Sequence, residues 1–184
     1  MLAALFVRPA VAAEDAAVKH ARALLRSAIL IDGHNDLPMA IRRNSAAPFD
    51  VIAYDLRQPT KGNTDFARLR AGGIGAQFWS VYIPGEGSGP YARQQLEQID
   101  IARRIIDRYP DQLMFAGSVA DVRAAKRAGK IASMLGMEGG YALNNSLAAI
   151  REFHDLGVRY MTLTHNVSLD WADAALGEQR NGGL

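Results

Sequence analysis

Four apolar runs of seven to eleven residues alternate along this chain with amphipathic helical segments. The runs are AILIDGH at 28–34, GIGAQFWSVYI at 73–83, KIASMLGME at 130–138 and VRYMTLTH at 158–165. Parallel strands need a long crossover between them, usually a helix, so this alternation is typical of a parallel sheet. The pattern predicts an α/β fold built from βα units.

The segments between the runs carry helix signals of their own. A helix is predicted from about Tyr91 to Tyr109, with an apolar face formed by Leu96, Ile99, Ala102 and Ile106. Ser118 and Asp121 have the spacing of a capping box and predict the start of a short helix. A further helix is predicted from about Ser146 to Leu156, ending at Gly157.

Polar side chains follow three of the four predicted strands. His34 and Asp36 come at the end of the first run, Glu138 ends the third and His165 ends the fourth. The carboxyl ends of parallel barrel strands form one face, so these residues are expected to converge there. Positions i and i+2 of a strand point the same way, so His34 and Asp36 present a nitrogen and an oxygen to one point. Such a pair suits a divalent cation, above all zinc.

Each of these residues also has a simpler structural explanation. His34 could bond a nearby carboxylate in a loop, and Glu138 could face solvent beside a glycine turn. His165 could cap a strand or stack on Trp171. Four groups of ligand or acid/base type at the ends of predicted strands together favour a shared site over these separate explanations.

Composition narrows the chemistry of such a site. The chain has no cysteine, so a metal site must be built from His, Asp and Glu. Of its four histidines, His20 and His154 lie in charge-rich helical segments and are predicted to be surface residues. The 21 basic and 19 acidic residues are scattered, so no nucleic-acid surface is expected. No apolar run approaches the roughly 18 residues of a membrane span, and the expected partner is a small molecule.

Four motifs occur in order between about Ser27 and Ala175: DGHNDLP, GGIGAQFWSVYIP, ASMLGMEGG and RYMTLTHNVSLDWADAA. This ordered set resembles the renal, or membrane, dipeptidase family of zinc peptidases, a branch of the amidohydrolase superfamily. The resemblance implies a (β/α)8 TIM barrel of the metal-dependent hydrolase type. Residues 14–184 would form its N-terminal half, with about four βα units.

The resemblance also implies a role for each candidate residue. His34 and Asp36 would bind one zinc ion, and Glu138 would bridge two zinc ions in the catalytic centre. His165 would contact the substrate and the developing oxyanion rather than the metal. Tyr141 stands where many relatives carry histidine and is assigned to the substrate pocket. The two ions would lower the pKa of a shared water to about 7, so that metal-bound hydroxide attacks the peptide bond of a dipeptide.

The family pattern continues past the last residue of this sequence. Two further histidines, a substrate-binding arginine and a proton-handling aspartate are expected beyond Leu184. We therefore expect an N-terminal fragment that is inactive by itself and unstable or oligomeric, because its edge strands are bare. A homodimer is an open alternative for the assembly.

Residues 1–13, MLAALFVRPAVAA, resemble the remnant of an export signal. An apolar stretch precedes small residues, as at a signal-peptidase site, although a basic n-region is lacking. The alternative is a frayed tail. An export signal would place the protein in a periplasm or outside the cell, and otherwise it would be cytoplasmic.

Three hypotheses for function follow. The first is a zinc dipeptidase that acts on dipeptides. The second is a related metal-dependent amidohydrolase that acts on another small amide or a lactone. The third is a non-catalytic fragment or binding module that keeps the fold without the chemistry.

Overall fold

The computed structural model describes residues 15–85 and 89–183, so the export signal predicted at residues 1–13 lies outside the described residues. The described elements in chain order are α1 (Ala16–Ser27), β1 (Leu30–Asn35), α2 (Leu37–Arg42), α3 (Phe66–Ala71), β2 (Ile74–Ser80), α4 (Tyr91–Arg108), β3 (Leu113–Phe115), α5 (Val119–Arg127), β4 (Ile131–Met137), a 3₁₀ turn (Gly140–Leu143), α6 (Leu147–Asp155) and β5 (Val158–Met161). Among these helices, none has both the length and the apolar composition that crossing a membrane requires.

The five strands of the described residues form one sheet in which every pairing is parallel. Along one edge of β4 lies β2, with Ala76 opposite Ala132. The other edge is shared, because β3 pairs with residues 131–133 and β5 with residues 135–137. The four longer strands β1, β2, β4 and β5 therefore follow one another around the sheet in chain order, as barrel strands do.

The sequence predicts four strands, and the part of the chain that the structure describes contains a fifth. Strand β3 has only three residues, too few for an alternating pattern to show. The four predicted strands are present, but β5 ends at Met161 rather than at His165.

The main core lies between the sheet and the helices on one of its faces. Trp79 and Leu135 are fully buried there and belong to the same cluster as Ile99 of α4. The prediction that Leu96 shares the apolar face of α4 is wrong, because Leu96 is 49% exposed. Gln95 takes the inward position, where its side-chain amide donates a hydrogen bond to the carbonyl of Val81 at 2.8 Å.

The predicted helix ends are confirmed. The N–H of Asp121 donates to the Ser118 hydroxyl at 3.2 Å, and the Asp121 carboxylate accepts from that hydroxyl at 2.7 Å. The hydroxyl, together with the N–H of Gly117, holds the pKa of Asp121 below its ordinary value. Ser146 is the N-cap of α6, and Gly157 follows this helix with a φ of 111°. Glycine adopts this φ at no steric cost, so the chain can turn into β5.

The other face of the sheet is less completely covered. Ala132 and Met134 of β4 pack against Val122 and Ala125 of α5. Beyond this small cluster, Ile31 of β1 is 49% exposed. Among the described residues, β1 pairs only with β2 and β5 only with β4, so each presents an open edge.

We expect the 184-residue polypeptide, expressed by itself, to self-associate, because open edges and exposed apolar side chains promote association. Light scattering after size exclusion should give a mass that rises with concentration. The change Ile31→Thr should reduce that rise, whereas Gln58→Thr, which alters an exposed polar residue, should leave it unchanged. A mass of one chain at every concentration, with cooperative unfolding, would contradict this prediction.

Candidate metal centre

Three side chains of metal-ligand type meet at the carboxyl ends of β1 and β4. His34 is the fifth of the six residues of β1. Its Nε2 lies 3.3 Å from Oδ1 of Asp36, two residues further on. Glu138 directly follows β4 and places Oε2 3.4 Å from the same Nε2. One ligand atom from each residue lies within 4.8 Å of the other two. Two distant segments of sequence thus form one cluster.

Asn35 holds the end of β1 through hydrogen bonds on the sheet face opposite to His34 and Asp36. It lies between His34 and Asp36, so its side chain points to the other face of the sheet. Its amide nitrogen lies 3.0 Å from Thr64 Oγ1 and 3.4 Å from Gln77 Oε1, and its amide oxygen accepts the N–H of Leu37 at 3.1 Å. These bonds fix the backbone from which the two ligand-type side chains project.

His165 reaches the cluster although it lies four residues beyond β5. Hydrogen bonds tie the intervening segment to the turn after β4. The N–H of Gly139 donates to Thr162 Oγ1 at 2.8 Å, and the N–H of Gly140 donates to the Leu163 carbonyl at 3.0 Å. His165 Nε2 consequently lies 3.2 Å from Oε1 of Glu138, the carboxylate oxygen that does not face His34.

The simpler explanation for His34 matches the geometry, since its Nε2 faces nearby carboxylates, whereas those for Glu138 in solvent and for His165 on Trp171 do not. Glu138 is not turned into solvent, because its side chain is only 19% exposed and faces two imidazoles. The ring of His165 meets Tyr82 edge to face at 5.2 Å rather than stacking on Trp171. Trp171 donates its indole N–H to Asn145 at 3.2 Å. His20 and His154 are exposed, as predicted.

Tyr141, assigned from sequence to the substrate pocket, is buried beside Glu138. Its hydroxyl contacts the backbone carbonyls of Ile83 and of Glu138, the latter at 3.1 Å. A Cβ on Gly139 would overlap the tyrosine ring, so glycine is required at that position. Tyr141 thereby supports the backbone that carries Glu138, and contact with a substrate stays a prediction.

Sequence reasoning missed Tyr160, the third residue of β5. Its hydroxyl oxygen lies 3.1 Å from Nδ1 of His34 and 3.1 Å from the carbonyl of Gly33. Strand alternation predicts the face on which Tyr160 lies, but β1 and β5 are not paired in the sheet. Their side chains meet only because the sheet curves, and periodicity carries no signal for that contact.

Negative charge surrounds the Tyr160 hydroxyl. Burial raises the pKa of Tyr160, and the carboxylates that raise it further are Glu138, Asp36 and Asp32. Each cause disfavours the phenolate. The hydroxyl therefore keeps its proton at ordinary pH and can donate a hydrogen bond.

The donor set of the cluster fits a divalent metal ion. One imidazole nitrogen and two carboxylate oxygens are ligands that zinc accepts. Two ligands of a tetrahedral zinc ion at about 2.1 Å are separated by roughly 3.4 Å. The separations of 3.3 and 3.4 Å from His34 Nε2 to the two carboxylates agree with that geometry.

The sequence of this chain is similar to a known protein family and to a curated member of it. The profile of the family "Membrane dipeptidase (Peptidase family M19)" matches residues 18–184. Dipeptidase 3 of Mus musculus is 42% identical over 158 residues, which make up 85% of this chain and 31% of that protein. The chain thus spans about a third of the length of this curated relative.

Solved structures share the fold. The probable dipeptidase PvdM from Pseudomonas aeruginosa is similar with a TM-score of 0.69 at 20% identity, over 84% of this chain and 39% of that one. A metallo peptidase from Rhodobacter sphaeroides, liganded with a phosphinate mimic of the dipeptide L-Ala-D-Ala, gives a TM-score of 0.61 at 22% identity, over 75% of this chain and 46% of that one. At these identities the likeness establishes the fold.

Proposed function

The chain belongs to the membrane dipeptidase family, Peptidase family M19, and from this premise we propose that the full-length protein is a zinc dipeptidase. Metal use is a property of this family of metallopeptidases. The observation that carries the proposal is the convergence of His34, Asp36 and Glu138, whose ligand atoms lie within 4.8 Å of one another.

The three ligand-type residues of this centre are proposed to bind metal in different ways. His34 and Asp36 would hold one zinc ion through Nε2 and a carboxylate oxygen. Glu138 would bridge two ions, because its two oxygens face different sides, one toward His34 and the other toward His165. When bound, zinc supplies Lewis acidity that polarises a carbonyl group and acidifies water.

His165 is proposed to act on the substrate. In peptide hydrolysis, the oxygen of water adds to the carbonyl carbon, the carbon–nitrogen bond breaks and the amine leaves with a proton. Negative charge grows on the carbonyl oxygen during the addition. His165 lies beside Glu138 with its side chain 30% exposed, and an imidazole N–H at that position can donate to that oxygen.

The test is an assay of the full-length protein against dipeptides, small amides and lactones, before and after treatment with a chelator. We expect dipeptide hydrolysis that the chelator removes and added zinc restores. Faster turnover of an amide or a lactone would favour the related amidohydrolase instead. Activity that resists complete metal removal, or that returns with other divalent ions but not with zinc, would contradict the proposal.

A further inference from the structure

The two ring nitrogens of His34 have different partners. Nε2 faces the carboxylates of Asp36 at 3.3 Å and Glu138 at 3.4 Å. Nδ1 faces the hydroxyl of Tyr160 at 3.1 Å. We propose that Tyr160 is a positioning residue that selects the tautomer of His34 and orients its ring for metal binding. This inference rests on the proposed metal centre and adds a residue to it.

The tautomer follows from the demands of coordination. A neutral imidazole carries one proton, on either Nδ1 or Nε2, and a metal binds the nitrogen without it. Since Nε2 of His34 faces the other two ligand residues, the proton must stay on Nδ1. An acceptor at Nδ1 stabilises that arrangement, as groups that bond the second ring nitrogen of metal-bound histidines do.

The hydroxyl of Tyr160 is such an acceptor, because its own proton is committed elsewhere. Its oxygen lies 3.1 Å from the carbonyl of Gly33, which can only accept a hydrogen bond. The chain of donation therefore runs from His34 Nδ1–H to the Tyr160 oxygen, and from the Tyr160 O–H to the Gly33 carbonyl. The carbonyl thus fixes the direction of both hydrogen bonds.

Packing holds the Tyr160 ring where this hydrogen bond requires it. The ring lies against that of Phe78, with a centroid distance of 5.0 Å. On the adjacent strand, a Cβ on Gly136 would overlap the tyrosine ring, so glycine leaves the space that the ring fills. A ring confined in this way holds its hydroxyl in place without further loss of side-chain entropy when metal binds.

The first test is the change Tyr160→Phe in the full-length protein, with zinc affinity measured by competition against a chromophoric chelator. The ring and its packing are kept and only the hydroxyl is lost. We expect zinc affinity to fall about 10- to 100-fold, the usual effect of removing a group that hydrogen-bonds a metal ligand. Gly136→Ala, which displaces the Tyr160 ring, should also lower the zinc affinity.

The matched control is Tyr109→Phe, which removes another ring hydroxyl outside the cluster. That hydroxyl accepts the N–H of Leu56 at 2.9 Å and contacts Asp55 at 3.1 Å. Its loss should lower the free energy of unfolding without changing zinc affinity. Unchanged affinity in Tyr160→Phe, or equal losses in the two variants, would overturn the proposal.

A second measurement separates this proposal from the proposed function. Nitrogen-15 NMR of the metal-free protein reports which ring nitrogen of His34 carries the proton. Without metal, the carboxylates of Asp36 and Glu138 favour a proton on Nε2 in both proteins. We therefore expect a larger Nδ1–H fraction in the wild type, where the Tyr160 oxygen can accept, than in Tyr160→Phe. If the wild type binds no zinc and cleaves no dipeptide, the proposed function fails, yet this readout still decides the tautomer. The same tautomer population in both proteins would overturn the inference.

Discussion

Replacing Glu138 with glutamine is expected to abolish dipeptide hydrolysis by the full-length protein and to strip metal from it. The two oxygens of Glu138 lie 3.4 Å from His34 Nε2 and 3.2 Å from His165 Nε2, so each faces a different part of the centre. An amide keeps one oxygen, carries no charge and cannot balance two divalent cations. We expect turnover to fall by at least about 10³-fold, more than the roughly 10- to 100-fold effect of removing a group that only hydrogen-bonds a metal ligand.

Metal content by mass spectrometry and steady-state kinetics on the same preparation check this expectation. The control is Glu152→Gln, the same chemical change at an exposed position of α6. It should leave both metal content and turnover unchanged. Near-normal turnover of Glu138→Gln with its metal ions still bound would refute the bridging role.

The parts of this centre differ in how far sequence could predict them. His34 and Asp36 are two residues apart on one strand, so alternation alone predicts that they share a direction. Glu138 directly follows a strand that the sequence shows clearly, and the convergence of parallel strand ends brings it to the same face. These placements depend on local periodicity and on one topological rule.

Other contacts depend on packing that periodicity does not encode. Tyr160 meets His34 across strands that are not paired, so no strand register predicts the contact. Gln95 displaces Leu96 from the inner face of α4 because a backbone carbonyl in the core offers it a hydrogen bond. In both cases the partner lies far away in sequence, and only the folded chain brings the two groups together.

The position of His165 beside Glu138 allows it to be a metal ligand or a hydrogen-bond donor to the substrate. Removing the side chain would have a different effect on zinc binding and on reaction rate in each case. A metal ligand would take zinc with it when removed, because each ligand contributes to holding the ion. A donor to the substrate would leave zinc in place and slow the reaction. The ring of His165 contacts Tyr82 at 5.2 Å, and Nε2 faces the Glu138 oxygen turned away from His34 and Asp36. His165 lies outside the group of three residues whose ligand atoms lie within 4.8 Å of one another, and the resemblance to the dipeptidase family assigns it the second role.

We therefore expect His165→Ala to keep its zinc and to lose about 10²- to 10³-fold in kcat, the usual effect of losing one oxyanion donor. The loss should fall mainly on kcat rather than on KM, because the interaction strengthens only as charge develops on the carbonyl oxygen. His154→Ala, which removes an exposed imidazole on α6, is the control and should match the wild type. Loss of zinc from His165→Ala would show that His165 is a ligand and would overturn this assignment. Retained zinc with a lowered kcat would show that His165 acts on the substrate while other residues hold the metal.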